Sequence, residues 1–187
     1  MENILTKIKE TTFFLQSKFA TLNNPVGIIL GTGLGKLASN IDTVAEISYS
    51  EIPWFPVSTV ESHDGKLIFG LLKGKQVIAM QGRFHYYEGY TMQQITFPVR
   101  VLHQLGIKYL LISNAAGAVN LSFKKGSLML INDHINLLMN NPLIGKNLDE
   151  LGPRFPDMSC PYSERLRKGA RKIAKTHKVP LNEGMYA

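Results

Sequence analysis

A chain of 187 residues, 44% hydrophobic and 19% charged, has an ordinary globular composition and is expected to form one α/β domain over residues 1–187. The single cysteine, Cys160, excludes an intramolecular disulfide and suits a reducing, cytoplasmic setting, and it has no Cys or His partner at zinc spacing. No apolar run reaches the ~18 residues of a membrane span, and the N-terminal stretch, with Glu2 and Glu10, lacks a signal-type apolar core.

Ile4, Ile8, Leu15 and Phe19 set a helical stripe over the first twenty residues. Short apolar runs predict strands near Val26 to Leu30, Val44 to Tyr49, Leu67 to Leu72 and Val77 to Gln81, and Lys73-Gly74 joins the last two as a hairpin. Thr91 is placed to cap a helix running to Gln104 and stopped by Gly106, with a kink expected at Pro98. Strands resume near Tyr109 to Ser113 and Ser127 to Ile131. Asn140 to Pro161, rich in Asn, Gly and Pro, reads as a long loop, and Ser163 caps a last helix to about Lys178. The pattern describes a mixed β-sheet flanked by helices.

Three predicted strands end in loops suited to an oxyanion. The strand from Val26 feeds Gly31-Thr32-Gly33-Leu34-Gly35, whose backbone N–H groups and Thr32 hydroxyl are donors. The G-x-G-x-G spacing, the lack of an acidic residue about 20 positions on and the lack of a Gly-Lys-Ser/Thr ending disfavour a dinucleotide or nucleoside triphosphate site. The strand at Val77 runs into Gln81-Gly82-Arg83-Phe84-His85-Tyr86-Tyr87-Glu88-Gly89-Tyr90, which carries a guanidinium fork, an imidazole two residues on and the flat face of Tyr87. The strand at Tyr109 ends in Asn114-Ala115-Ala116-Gly117, small residues that let a ligand approach the backbone. Each loop alone has a plain alternative: a tight strand-to-helix turn, a surface hairpin with locally packed aromatics, a crowded core turn. Ligands of open α/β sheets bind along the edge at which strands end, and three such ends together describe an anion pocket.

The net charge of +7 is concentrated at Arg165, Arg167, Lys168, Arg171, Lys172, Lys175 and Lys178, while Leu166, Ala170, Ile173 and His177 form the apolar stripe of the same helix. No aromatic residue interleaves these cations, so they read as the solvated face of an amphipathic helix and not as a nucleic-acid patch. His103 and His134 read as helix-surface and turn residues, and Trp54 in Ile52-Pro53-Trp54-Phe55-Pro56 as part of a rigid loop.

GTGLG, the Ser62-His63-Asp64-Gly65 turn, QGRFHYYEGY, Thr96-Phe97-Pro98-Val99-Arg100, SNAAG, Asp133-His134-Ile135-Asn136 and Arg154-Phe155-Pro156-Asp157-Met158-Ser159 follow one another as they do in the trimeric class of purine nucleoside phosphorylase. From about Pro25 to Ala187 the chain resembles that family. The resemblance implies a phosphorylase/uridine phosphorylase-like fold and cleavage of purine nucleosides by inorganic phosphate, giving free base and ribose 1-phosphate, in purine salvage. It implies no metal and no cofactor, phosphate being a co-substrate. It implies a homotrimer of the complete protein, with no nucleic acid or membrane as partner.

Residue by residue, it implies that Thr32, His63, Arg83, His85 and the Ala115 backbone meet the phosphate, that Tyr87 packs on the ribose, and that Phe155 reaches toward a neighbouring subunit's site. The family's Gly-Pro-x-Phe-Glu-Thr motif, with its base-binding glutamate, does not occur before Ala187. The chain is therefore expected to be truncated, with the C-terminal part of the fold missing and little activity on its own. A methylthioadenosine phosphorylase, with a similar phosphate site, and an inactive fragment with a basic binding surface remain as alternatives.

Overall fold

The computed structural model describes residues 3–19, 21–31, 33–57 and 65–187, and these fall into two compact units, one ending at Ala116 and one beginning at Gly117. In the first unit, α1 (Ile4–Lys18) starts where the Asn3 side chain accepts from the Leu5 amide at 3.1 Å. Ile8, Thr11, Thr12 and Leu15 form its buried face at helical spacing. Then come β1 (Val26–Leu30), β2 (Asp42–Ser48), β3 (Lys66–Leu72), β4 (Lys75–Gln81), α2 (Met92–Gln104) and β5 (Tyr109–Ile112).

The sheet order is β2-β3-β4-β1-β5. β2, β3 and β4 pair antiparallel, whereas β4, β1 and β5 run parallel, so the sheet is mixed as expected. In β1, β3 and β4 side chains alternate between its two faces. Ile29, Leu67, Phe69, Ile78 and Met80 join one core cluster with Ile8 and Leu15 of α1 and Phe97, Val101 and Leu102 of α2. Their neighbours Ile28, Leu30, Ile68, Val77 and Ala79 join a second cluster with Ala38 and Ile41, brought there by a 3-10 segment over Gly35–Asn40.

The local signals act as their chemistry dictates. Lys73 and Gly74, at φ +51° and +75°, close a two-residue hairpin between β3 and β4. Thr91 caps α2 in a box with Gln94, and the helix ends before Gly106, at φ +90°. α2 continues through Pro98 as one helix.

The second unit holds β6 (Leu128–His134), α3 (Glu164–Thr176) and β7 (Leu181–Tyr186), with β6 and β7 paired parallel. His134 is the last residue of β6 and not a turn residue. Its ring stacks on Tyr162 at 5.5 Å, with its Nδ1 2.6 Å from the Tyr162 hydroxyl, and Tyr186 lies 5.2 Å away. Between β6 and α3 the backbone is irregular apart from a 3-10 turn at Asp149–Leu151, as the Asn, Gly and Pro content predicts. Ser163 caps α3 through the Leu166 amide.

The cations of α3 are not all solvated. Arg171 forks onto Glu183 of β7 at 2.8 and 3.0 Å and reaches Glu164 at 2.7 Å, and Arg167 also pairs with Glu164. The expected apolar stripe is weak, with Ile173 and His177 exposed and no residue of the helix buried. Ion pairs, and not apolar burial, fasten this helix. No helix among the described residues is long and apolar enough to cross a membrane.

Candidate functional site

Because β4, β1 and β5 are adjacent and parallel, the three loops singled out in the sequence leave the sheet along one edge. β5 carries Ser113 just past its end, and the Ser113 amide still donates to the Ile29 carbonyl at 3.1 Å. Gly31 follows β1 so closely against this strand that a Cβ there would lie 2.3 Å from the Ser113 carbonyl oxygen and 2.7 Å from the Asn114 Cα. Only glycine fits at that contact. The Gly31 amide donates to the Ser113 hydroxyl at 3.0 Å, and so holds β1 to β5 and does not point at an anion. Gly33 serves differently, at φ +84° with open space around it, where a left-handed turn is needed. Thr32 and His63 lie outside the described residues.

Beyond β4 the chain turns at Gly82, φ +94°, whose carbonyl accepts the Tyr49 hydroxyl at 2.8 Å. Burial pushes the Tyr49 phenol far above its ordinary range, so it stays a neutral donor. Phe84 points into the aromatic core, 5.1 Å from Tyr49 and 6.0 Å from Tyr90, so Arg83 and His85 on either side of it face the other way. The Arg83 Nε donates to His85 Nε2 at 3.1 Å, and Nη1 donates to the Ser113 carbonyl at 2.7 Å. The fork expected to meet a ligand thus ties the loop after β4 to the end of β5.

His85 Nδ1 lies 2.7 Å from Glu88 Oε1, and the same oxygen accepts the His85 amide at 2.9 Å. Since Nε2 accepts from Arg83, the ring is assigned as the neutral tautomer with its proton on Nδ1, donating to the carboxylate. A charge-assisted chain then runs Arg83, His85, Glu88, and the Glu88 side chain is only 2% exposed. Glu88 had no role in the sequence reading. The signal for it was the i, i+3 spacing from His85, which becomes a contact because Tyr86–Glu88 forms a 3-10 turn.

Tyr87 stacks on the His85 ring at 4.7 Å and 15° and is 77% exposed, presenting its outer face to solvent. Ala115 is exposed just beyond Ser113 and Asn114. Arg83, His85, Tyr87 and Ala115 therefore all stand on the loops at one sheet edge. Phe155 belongs to the second unit, where it is 86% exposed with the Arg154 guanidinium 5.7 Å from its ring centre. Arg154 also donates to the Leu143 and Gly145 carbonyls at 2.8 and 2.7 Å, which folds the long loop back on itself. Trp54 packs its loop against α1, its indole N–H donating to Glu10 at 2.7 Å. Cys160 is exposed, and among the described residues no group of His, Cys, Asp and Glu is placed to hold a metal.

Residues 25–187 match the model of the phosphorylase superfamily. The chain is 53% identical over 181 residues to purine nucleoside phosphorylase 1 of Geobacillus stearothermophilus, covering 97% of this chain and 66% of that one. It is 54% identical over 161 residues to purine nucleoside phosphorylase 1 of Bacillus subtilis, covering 86% and 59%. The chain thus spans about two thirds or less of the length of these curated relatives. Among solved structures, a purine nucleoside phosphorylase in complex with ribose-1-phosphate superposes with a TM-score of 0.92 at 40% identity, over 100% of this chain and 70% of that one. Isoform 2 of the enzyme from Schistosoma mansoni, in complex with cytosine and ribose-1-phosphate, gives 0.90 at 42% identity, over 97% and 65%.

Proposed function

The chain belongs to the phosphorylase superfamily, and within it to the purine nucleoside phosphorylases, and from that premise we propose that its sheet edge binds inorganic phosphate for the phosphorolysis of purine (deoxy)ribonucleosides. The observation that carries the proposal is the Arg83–His85–Glu88 chain at the carboxyl ends of parallel strands, beside the exposed Ala115 backbone. Phosphate holds nearly two negative charges at neutral pH, and a site that excludes water needs a fixed cation and oriented N–H donors to accept it. Arg83 is that cation. In this reading phosphate takes the place of the Arg83–His85 contact, and Glu88 keeps the imidazole in position while the fork turns to the ligand. Thr32 and His63 complete the donor set, and Tyr87 covers the sugar.

In the reaction a phosphate oxygen forms the new bond to the anomeric carbon while the bond from that carbon to the purine nitrogen breaks. The bonding pair leaves with the purine, which takes a proton, and the sugar leaves as its 1-phosphate. The state between is oxocarbenium-like, by analogy with glycoside hydrolysis, so a phosphate anion beside the anomeric carbon is both nucleophile and counter-charge. No metal or organic cofactor has a part in these steps. The names of the relatives favour purine nucleosides over methylthioadenosine. We further propose a cytoplasmic homotrimer in which the exposed Phe155 reaches a neighbour's nucleoside site.

The test is hypoxanthine release from inosine by the whole protein, with and without phosphate. Release that needs phosphate and yields ribose 1-phosphate is expected. Release independent of phosphate, or from methylthioadenosine in preference to inosine, overturns the assignment.

A further inference from the structure

Trp54 has a backbone φ of +65°, the left-handed region in which a bulky aromatic is strained. Trp54 is 44% exposed and lies outside the buried core clusters. Three residues of α1 hold it there. Its indole N–H donates to the Glu10 carboxylate at 2.7 Å, the Lys7 ammonium sits 4.3 Å from the ring centre, and the Thr11 hydroxyl donates to the Pro53 carbonyl at 2.8 Å.

The segment so clamped is fastened on its other side to the loop after β4. Tyr49 donates to the Gly82 carbonyl, Phe55 stands edge-on to Phe84 at 6.5 Å and to Phe97 at 6.1 Å, and the Tyr90 hydroxyl donates to the Val57 carbonyl. Gly82, Phe84 and Tyr90 bracket Arg83 and His85.

We propose that the Lys7–Glu10–Trp54 clamp is a positioning device for the anion-binding loop: strain held at Trp54 by α1 sets the path of residues 52–57, and these set the backbone that aims Arg83 and His85. The inference rests on the phosphate-site reading, and Trp54 is a positioning residue in it. Coupling of this kind is reciprocal, so a clamp that changes phosphate affinity must itself respond to phosphate. Trp54 is the only tryptophan in the chain, which makes its fluorescence a direct report on the clamp.

The experiment uses the full chain, its variants and inorganic phosphate. Glu10→Ala should weaken phosphate binding severalfold by calorimetry, with Glu10→Gln, which keeps an acceptor for the indole, restoring most of it. Trp54→Gly should weaken it by more than its change in melting temperature accounts for, because glycine adopts this φ without strain but keeps none of the clamp's contacts. A purely structural role predicts instead that affinity falls only in step with melting temperature. Phosphate should also change the acrylamide quenching of Trp54 in the unaltered chain. Unchanged affinity in both Glu10→Ala and Trp54→Gly, or losses that track melting temperature, overturn the proposal. If the unaltered chain binds no phosphate, the site reading fails separately. The clamp is then judged by whether Arg83→Ala alters Trp54 emission, and no change overturns it.

Discussion

Among the described residues Arg83 hydrogen-bonds His85 and the Ser113 carbonyl, and it is the fixed cation of its loop, so its removal has a definite size. Hydrogen bonds to charged groups contribute about 1.5–3 kcal/mol, and Arg83→Ala should weaken phosphate binding by roughly 10- to 150-fold. Calorimetry that finds the affinity unaltered would remove the guanidinium from the site. Glu88 acts one step behind, because its carboxylate fixes the His85 tautomer. Glu88→Ala should cost about tenfold in phosphate affinity, the loss of one such bond, whereas Glu88→Gln, whose amide oxygen can still accept both His85 donors, should cost little. Equal effects of the two substitutions would show that negative charge, and not acceptance, is what Glu88 supplies. Arg83, His85, Tyr87 and Ala115 could be named as candidates because their side chains, or lack of one, carry the chemistry themselves, and the structure places them on loops at one sheet edge. The role of the Gly31 amide was not legible: whether it faces a ligand or Ser113 is decided by the β1–β5 pairing, which joins residues 82 positions apart. Glu88 was hidden for a local reason, since its contact depends on a 3-10 turn inside a run that reads as extended.

The elements with strong local punctuation were the easiest to read. The Lys73-Gly74 hairpin, the Thr91 cap and the Gly106 stop each follow from one or two residues whose backbone preferences leave little choice. β6 extends past the predicted Ile131 to His134 because Asp133 and His134 pair with Met185 and Tyr186, and a pairing partner is not a local signal. α3 shows the same limit. Its cations read as a solvated face from composition, but Arg171 is bound to Glu183 on another element. This predicts an acid response. Partial desolvation alone would raise the Glu164 carboxyl, but the Arg171 hydrogen bond and the charges of Arg167, Arg171 and Lys168 together hold it below the usual carboxylate range. A carboxyl depressed in the folded state stabilises above its unfolded pKa, and the contribution is lost as pH falls through the folded value. Helicity of α3, followed by circular dichroism or amide chemical shifts, should therefore hold at neutral pH and decline at pH values below about 4.3, the ordinary glutamate pKa. Glu164→Gln should lower helicity at pH 7 and flatten the acid transition. A transition unchanged in that variant would place the acid sensitivity elsewhere.

At the scale of the whole molecule, the groups gathered at the first unit's sheet edge are mostly of one kind. Arg83, the His85 imidazole held by Glu88, and the Ala115 backbone suit the nucleophile of the proposed reaction, with Tyr87 beside them for the sugar. The departing purine needs something different: a donor placed where negative charge develops on the base. Stabilisation of a leaving group by oriented donors typically amounts to several kcal/mol, which is several orders of magnitude in rate. Arg83→Ala should accordingly raise the KM for phosphate by roughly 10- to 150-fold while leaving the KM for inosine nearly unchanged. The surface predicts a second behaviour. β5 is the last strand of its sheet among the described residues, and Leu111 and Ile112 are 51% and 60% exposed. A short apolar strand at the end of a sheet is a template for association with another copy. Light scattering should show self-association that rises with concentration and that Ile112→Lys suppresses without loss of phosphate binding. Equal rises in the KM values for phosphate and for inosine in Arg83→Ala would mean that the same groups also hold the nucleoside, and the division of labour argued for this sheet edge would be wrong.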